Sequence, residues 1–196
     1  NKRITAAGLE HLAKSRICLG ELNISGTGVT GRAGAEAIAK FTKLVSLTAA
    51  TSALADDDVA LFRPLIGLEI LYLNDNGLTD GVAETLRDLP KLHTLLLIRT
   101  AFSDAGLKRL HNNKKLGFLQ LEETKVTLAG VKSFQDAVPD CDVRFDYKPA
   151  EDPDRALAEW VLAAGGEVSV AVRRLPDAPA APGVLDVKDC LLYTSD

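Results

Sequence analysis

Two consecutive stretches of 24 residues, LEILYLNDNGLTDGVAETLRDLPK at 68–91 and LHTLLLIRTAFSDAGLKRLHNNKK at 92–115, place their apolar residues at the same offsets. Leu68, Leu71, Leu73 and Leu78 in the first answer to Leu92, Leu95, Leu97 and Phe102 in the second, and Asn76 answers to Thr100. Along the chain, the second leucine of the unit falls at Leu22, Leu47, Leu71, Leu95 and Leu119, at spacings of 25, 24, 24 and 24. Two residues on, the column reads Ile24, Ala49, Leu73, Leu97 and Leu121; after the turn it reads Val29, Leu54, Leu78, Phe102 and Val126. A unit this short cannot bury its own apolar edge. It must stack on its neighbours as one coil of a solenoid.

Each coil can be read physically. The alternation around x-Leu-x-Leu-x turns the leucines inward and the intervening residues outward, as on a strand. Stacked strands of successive coils are parallel, and parallel neighbours need a crossover, here the segments 80–88 and 104–110. Thr79/Asp80 and Ser103/Asp104 are natural caps for helices there, and Gly81, Gly106 and Gly130 relieve crowding at the turn into each helix. Adding one period to Leu119 and Leu121 reaches Val143 and Phe145, a last short strand whose outward Asp142, Arg144 and Asp146 suit the end of an array. At the other end, ITAAGLEHL at 4–12 matches FSDAGLKRL at 102–110, so the chain begins on the helical half of a coil. Ile4, Leu9 and Leu12 are then expected to face an absent neighbour.

The spacing Leu-x-x-Leu-x-Leu-x-x-(Asn/Thr)-x-Leu resembles that of leucine-rich-repeat proteins. The resemblance implies an α/β solenoid, a horseshoe with a parallel sheet on the concave face and short helices on the convex face, in the ribonuclease-inhibitor-like superfamily. In that family the turn residue is often an Asn that bonds the backbone of adjacent coils. Here it reads Thr27, Ser52, Asn76, Thr100 and Thr124, and with SDAGL at 103–107 this departure points toward the bacterial 24-residue subtype.

The period defines a repeat array over 1–148, truncated at its N-terminus. Residues 149–189 read as a linker with Pro149 and Pro153, a helix with Leu157, Trp160, Val161 and Ala164 on one stripe, then a Gly165–Gly166 stop and the strand EVSVAV. That segment either begins a second array or caps the first. Residues 190–196, CLLYTSD, back-translate to a transposon-end sequencing adapter and are set aside as a scar. The chain has no Met and opens on Asn1, so it is expected to be an internal piece of a longer reading frame, and no compartment is assigned.

The search for chemistry finds little. Of the three histidines, His11, His93 and His111, His93 precedes a strand and has no Cys, Asp or Glu at ligand spacing, and no GxSxG, HExxH or Walker-type loop is present. His11 and His111 are expected to be solvated on the convex helices. Cys18, Cys141 and Cys190 are odd in number and far apart, which argues against a disulfide framework or zinc and for small buried or semi-buried thiols. The run Asp56–Asp57–Asp58 sits where a helix start favours acids. No catalytic residue, metal or cofactor is expected. With net charge −4 and Lys and Arg scattered along the chain, nucleic acid is a poor partner, and no run is long and apolar enough for a membrane helix.

The informative surface is the outward face of the strands. In the first two coils it reads Glu21/Asn23/Ser25 and Ser46/Thr48/Ala50; the next three read Ile70/Tyr72/Asn74, Thr94/Leu96/Ile98 and Phe118/Gln120/Glu122, with Asp75, Arg99 and Glu123 at the rim. Adjacent strands lie about 4.8 Å apart, so Ile70, Tyr72, Leu96, Ile98 and Phe118 form one apolar patch rimmed by charge, the mark of a contact site. The expected partner is a protein or peptide, with Ile70, Tyr72, Asn74, Leu96, Ile98, Arg99, Phe118, Gln120 and Glu122 as the binding set. Two alternatives stay open: a sensor segment of a larger enzyme, such as a kinase or ligase, whose catalytic domain lies elsewhere, or a structural spacer.

Overall fold

Each coil spends three residues on a strand before turning away. The computed structural model describes residues 2–15 and 17–146; the helix–strand segment at 149–189 and the adapter-like 190–196 lie outside them. The strands are β1 (Glu21–Asn23), β2 (Ser46–Thr48), β3 (Ile70–Tyr72), β4 (Thr94–Leu96), β5 (Phe118–Gln120) and β6 (Asp142–Arg144). They pair in parallel, in chain order, into one six-stranded sheet. Leu22, Leu47, Leu71, Leu95, Leu119 and Val143 share a single register row. Its interior members are fully buried, while Leu22 and Val143, at the two ends of the sheet, are half-buried.

Short helices cross back over the other side: α1 (Ala6–Lys14), α2 (Gly31–Ile38), α3 (Asp56–Val59), α4 (Ala83–Leu86), α5 (Asp104–Arg109) and α6 (Leu128–Ala137). Single 3-10 turns at Ala60–Phe62 and Asp80–Val82 extend α3 at its C-terminal end and α4 at its N-terminal end, where such turns are common. The core between sheet and helices includes the fully buried Phe62, Phe102 and Phe134. Each inward leucine there contributes about 1.5–3 kcal/mol through burial. One side of α1 packs on α2, so Leu9 joins the core at 5% exposure instead of facing an absent neighbour; Ile4 is exposed and Leu12 half-buried.

Polar side chains tie coil to coil on the convex side. The Thr79, Ser103 and Thr127 hydroxyls accept from first-turn amides of their own helices. The aspartates beside them do something else: each reaches forward to the next coil's cap. Asp80 accepts from the Ser103 amide at 2.7 Å and its hydroxyl at 2.6 Å, and Asp104 does the same for Thr127 at 2.8 and 2.7 Å. Asp56 holds the Thr79 amide at 2.9 Å and its hydroxyl too. This explains Gly130, since a Cβ there would overlap the Asp104 carboxylate. The clamp is missing earlier, where Gly31 and Ala55 occupy the Asp and Thr places.

The turn column shows a second division. Thr27, Thr100 and Thr124 donate only within their own coils, to the carbonyls of Ile24, Leu97 and Leu121. Asn76 alone among the turn residues bridges coils through both ends of its amide. Its Oδ1 accepts from the Ser52 and Leu54 amides at 3.0 Å each, and its Nδ2 donates to the Ala49 and Leu73 carbonyls at 2.8 Å each. These backbone groups would otherwise be buried without partners, at a cost of about 1–3 kcal/mol apiece.

Candidate functional site

The outward side chains of β3, β4 and β5 stand beside one another because their strands are in register: Ile70 beside Thr94 beside Phe118, and Tyr72 beside Leu96 beside Gln120. Ile70, Tyr72, Leu96, Ile98 and Phe118 are each half-buried, since neighbours a strand away shield their flanks. Of the expected binding residues, Ile70, Tyr72, Leu96 and Ile98 make no polar contact through their side chains to any described residue. The rest are engaged within the sheet. Asn74 Oδ1 accepts from the Ile98 amide at 3.0 Å, and Gln120 Nε2 donates to Glu122 Oε1 at 2.9 Å. Phe118 lies under the Arg144 guanidinium, 5.2 Å from the ring centroid, a cation–π contact that covers part of its face.

Arg99 is the centre of a rim rather than a free charge. Its Nη2 donates to Asp75 Oδ2 at 2.8 Å, its Nε also meets Asp75 Oδ1, and its Nη1 donates to Glu123 Oε1 at 3.2 Å. The Asp75 hydrogen bond, then the Glu123 one, hold the guanidinium more firmly protonated than usual, and Arg99 in turn keeps the Asp75 carboxyl below its ordinary value. All three residues sit at positive φ, 57° for Asp75, 52° for Arg99 and 54° for Glu123. Left-handed backbone is costly for residues with a Cβ. It persists because each amide is used across coils: Asp75 donates to the Ile98 carbonyl and Arg99 to the Glu122 carbonyl. At the last turn the Glu123 amide donates to Asp146 Oδ2 at 2.7 Å instead. Residue types do not mark this backbone, because glycine holds the place only at Gly26.

One acceptor on this face is left over. Among the described residues, Glu122 Oε2 and Asn113 Oδ1 are the occluded side-chain oxygens with no hydrogen-bond partner. An open cleft of about 520 Å³ lies beyond the rim, over the turns, with Asn76, Arg99, Thr100 and Glu123 in its lining.

Other sequence-selected groups are used structurally. Asp58 Oδ2 accepts from the Ala55 amide at 2.9 Å, and Asp56 serves the Thr79 clamp; among the described residues no group of His, Cys, Asp and Glu is placed to hold a metal. His111 is half-buried rather than solvated, its ring centroid 6.1 Å from that of Phe134. Cys18 is exposed, unlike the buried or semi-buried thiol expected, whereas Cys141 is buried as expected. Burial, with the Asp142 carboxylate adding to it, pushes the Cys141 thiol up to about 12. Among the described residues, no helix is long and apolar enough to cross a membrane.

A parallel sheet of register-stacked three-residue strands, inward leucine rows and short return helices define the leucine-rich-repeat solenoid, an α/β repeat fold. Among solved structures the chain is similar to an internalin C2 of Listeria monocytogenes, at 20% identity and a TM-score of 0.52, over 72% of this chain and 68% of that one. An internalin, inlF, of the same organism is 16% identical with a TM-score of 0.42, and the match spans 59% of this chain and 38% of that one. At these identities the likeness speaks for the fold alone. No protein-family model and no curated protein matches the chain.

Proposed function

We propose that this chain is a recognition scaffold that grips a protein or peptide on its concave sheet without catalysing a reaction. The observation that supports this reading is the contiguous patch of Ile70, Tyr72, Leu96, Ile98 and Phe118 across three hydrogen-bonded strands. Their backbones are fixed by the sheet, so little conformational entropy is lost when a partner covers them. Tyr72 and Phe118 are the anchors, since aromatic side chains dominate contact energies. Asn74, Arg99 and Gln120 stiffen the polar surround, with Glu122 accepting from Gln120.

The test is a capture experiment from source-cell lysate with wild type and the Tyr72→Ser/Leu96→Ser/Phe118→Ser variant, read by mass spectrometry. The variant loses the specifically retained protein while its far-UV circular dichroism stays that of wild type. Retention by a folded variant would place the contact on another face.

A further inference from the structure

Coiling gathers charges that look scattered along the sequence. Lys43, Lys91 and Lys115 fall in one column, three residues ahead of the register-aligned Ser46, Thr94 and Phe118, with Gly67 in the place between the first two. All three lysines are exposed, and none makes an ion pair or side-chain hydrogen bond, whereas nearby Arg63 and Arg87 are both paired with Asp88. Between Lys43 and Lys91 lies a cleft of about 380 Å³, with Val45, Pro64, Ile66 and Glu69 also in its lining. Ile66 is 62% exposed and Val45 40%, two of the four large apolar side chains exposed among the described residues. This edge, where helix returns to strand, is separate from the patch on the sheet.

We infer that the cleft is a second docking site, for an extended acidic peptide segment bearing an apolar side chain. Unpaired lysines stand on both sides of exposed aliphatic carbon and outnumber Glu69, the one carboxylate in the lining, which makes the cleft complementary to that chemistry. The spacing agrees: Lys43 and Lys91 stand two coils apart, about 10 Å at 4.8 Å per strand, and their flexible side chains reach two carboxylates four residues apart on one face of an extended chain, about 13 Å, with the residue midway between them on that same face. An apolar residue between them meets Ile66 and Val45. A membrane surface fits less well, because the aliphatic groups line a cleft and do not project from a flat face. A nucleic acid fits less well because the column is short and walled by carbon.

The probe is a fluorescein-labelled peptide containing Glu-Ala-Leu-Ala-Glu, titrated by anisotropy into the full 196-residue chain. Binding is expected, weakening about tenfold with Lys43→Glu/Lys91→Glu and severalfold with Ile66→Ser. The same peptide with Gln for Glu binds at least about tenfold less tightly. Tyr72→Ser leaves the affinity unchanged, which keeps this site distinct from the concave one. The three altered side chains are exposed, and Lys43→Gln/Lys91→Gln, also weakened, guards against a folding artefact. Absence of binding, equal binding of the Gln peptide, or indifference to the lysine variants overturns the inference. So does retention of phosphatidylserine vesicles or single-stranded DNA, through the same lysines, by a chain that ignores the peptide.

Discussion

In the coils of β1 and β2 the outward face is Glu21, Asn23, Ser46 and Thr48, and the convex caps are not clamped; Gly31 and Ala55 stand where the clamp would need Asp and Thr. In the coils of β3 to β5 the outward face turns apolar, and their caps Thr79, Ser103 and Thr127 are each held by both carboxylate oxygens of an aspartate one coil earlier, Asp56, Asp80 and Asp104. Asn76 sits at the seam, joined to Ala49, Ser52 and Leu54 on one side and Leu73 on the other. The contrast teaches where rigidity must come from when a surface is kept open for a partner. Half-exposed Ile70, Tyr72 and Leu96 cannot stabilise their strands by full burial. Side-chain hydrogen bonds on the opposite face hold those coils in register instead.

The largest expected effect separates the middle of the leucine row from its end. Leu95→Ala lowers stability by about 2–5 kcal/mol, and Leu22→Ala by no more than about 1–2 kcal/mol, because the half-buried edge side chain leaves no closed cavity. Urea melts of equal midpoint would refute the burial gradient. Next comes the seam: Asn76→Ala leaves several backbone groups of two coils unsatisfied and is expected to cost about 3 kcal/mol. Thr100→Val, which loses one bond within a single coil, is expected to cost about 1 kcal/mol. If the two variants melt alike, Asn76 is no more than another turn residue.

A smaller change sharpens the clamp itself. Asp80→Ala should cost about 1–2 kcal/mol, and amide hydrogen exchange should quicken at Ser103 and along α5 while α2 stays at its wild-type rate. Uniform acceleration would show that the coils are not tied pairwise. The smallest effect belongs to the rim. Arg99 lowers the Asp75 pKa, so the pair contributes above the ordinary carboxylate range and its contribution is lost as pH falls through the depressed value. Wild type should therefore melt slightly higher than Asp75→Asn at neutral pH, by no more than about 2 °C for so exposed a pair. The gap should close in acid and in high salt; a gap that persists in both would mean the loss comes from the left-handed turn instead.

Strands, register and the buried rows were legible in the sequence because they depend on the period alone, which apolar residues print directly onto the chain. Thr79 and Ser103 were legible as caps for the same local reason. Their aspartate partners were not, because Asp80 and Ser103 meet only once the chain has gone round a coil. The site divides the same way. Outward positions follow from alternation, so Ile70, Tyr72 and Leu96 could be named. The engagement of Arg99 with two carboxylates, and of Phe118 with Arg144, depends on side-chain reach between coils, which spacing does not encode. The lysine column was missed because only folding brings residues 43, 91 and 115 together.

The aspartate bridges also make the array divisible. Excising residues 80–103 would set Thr79 directly before Asp104, leaving Asp56 to grasp Thr79 and Asp104 to grasp Thr127, with no donor or acceptor stranded at the joint. The gripping surface could thus be shortened, or by duplication lengthened, in increments of one strand width, about 4.8 Å. Its reach is adjustable like links in a chain, without redesign of any link.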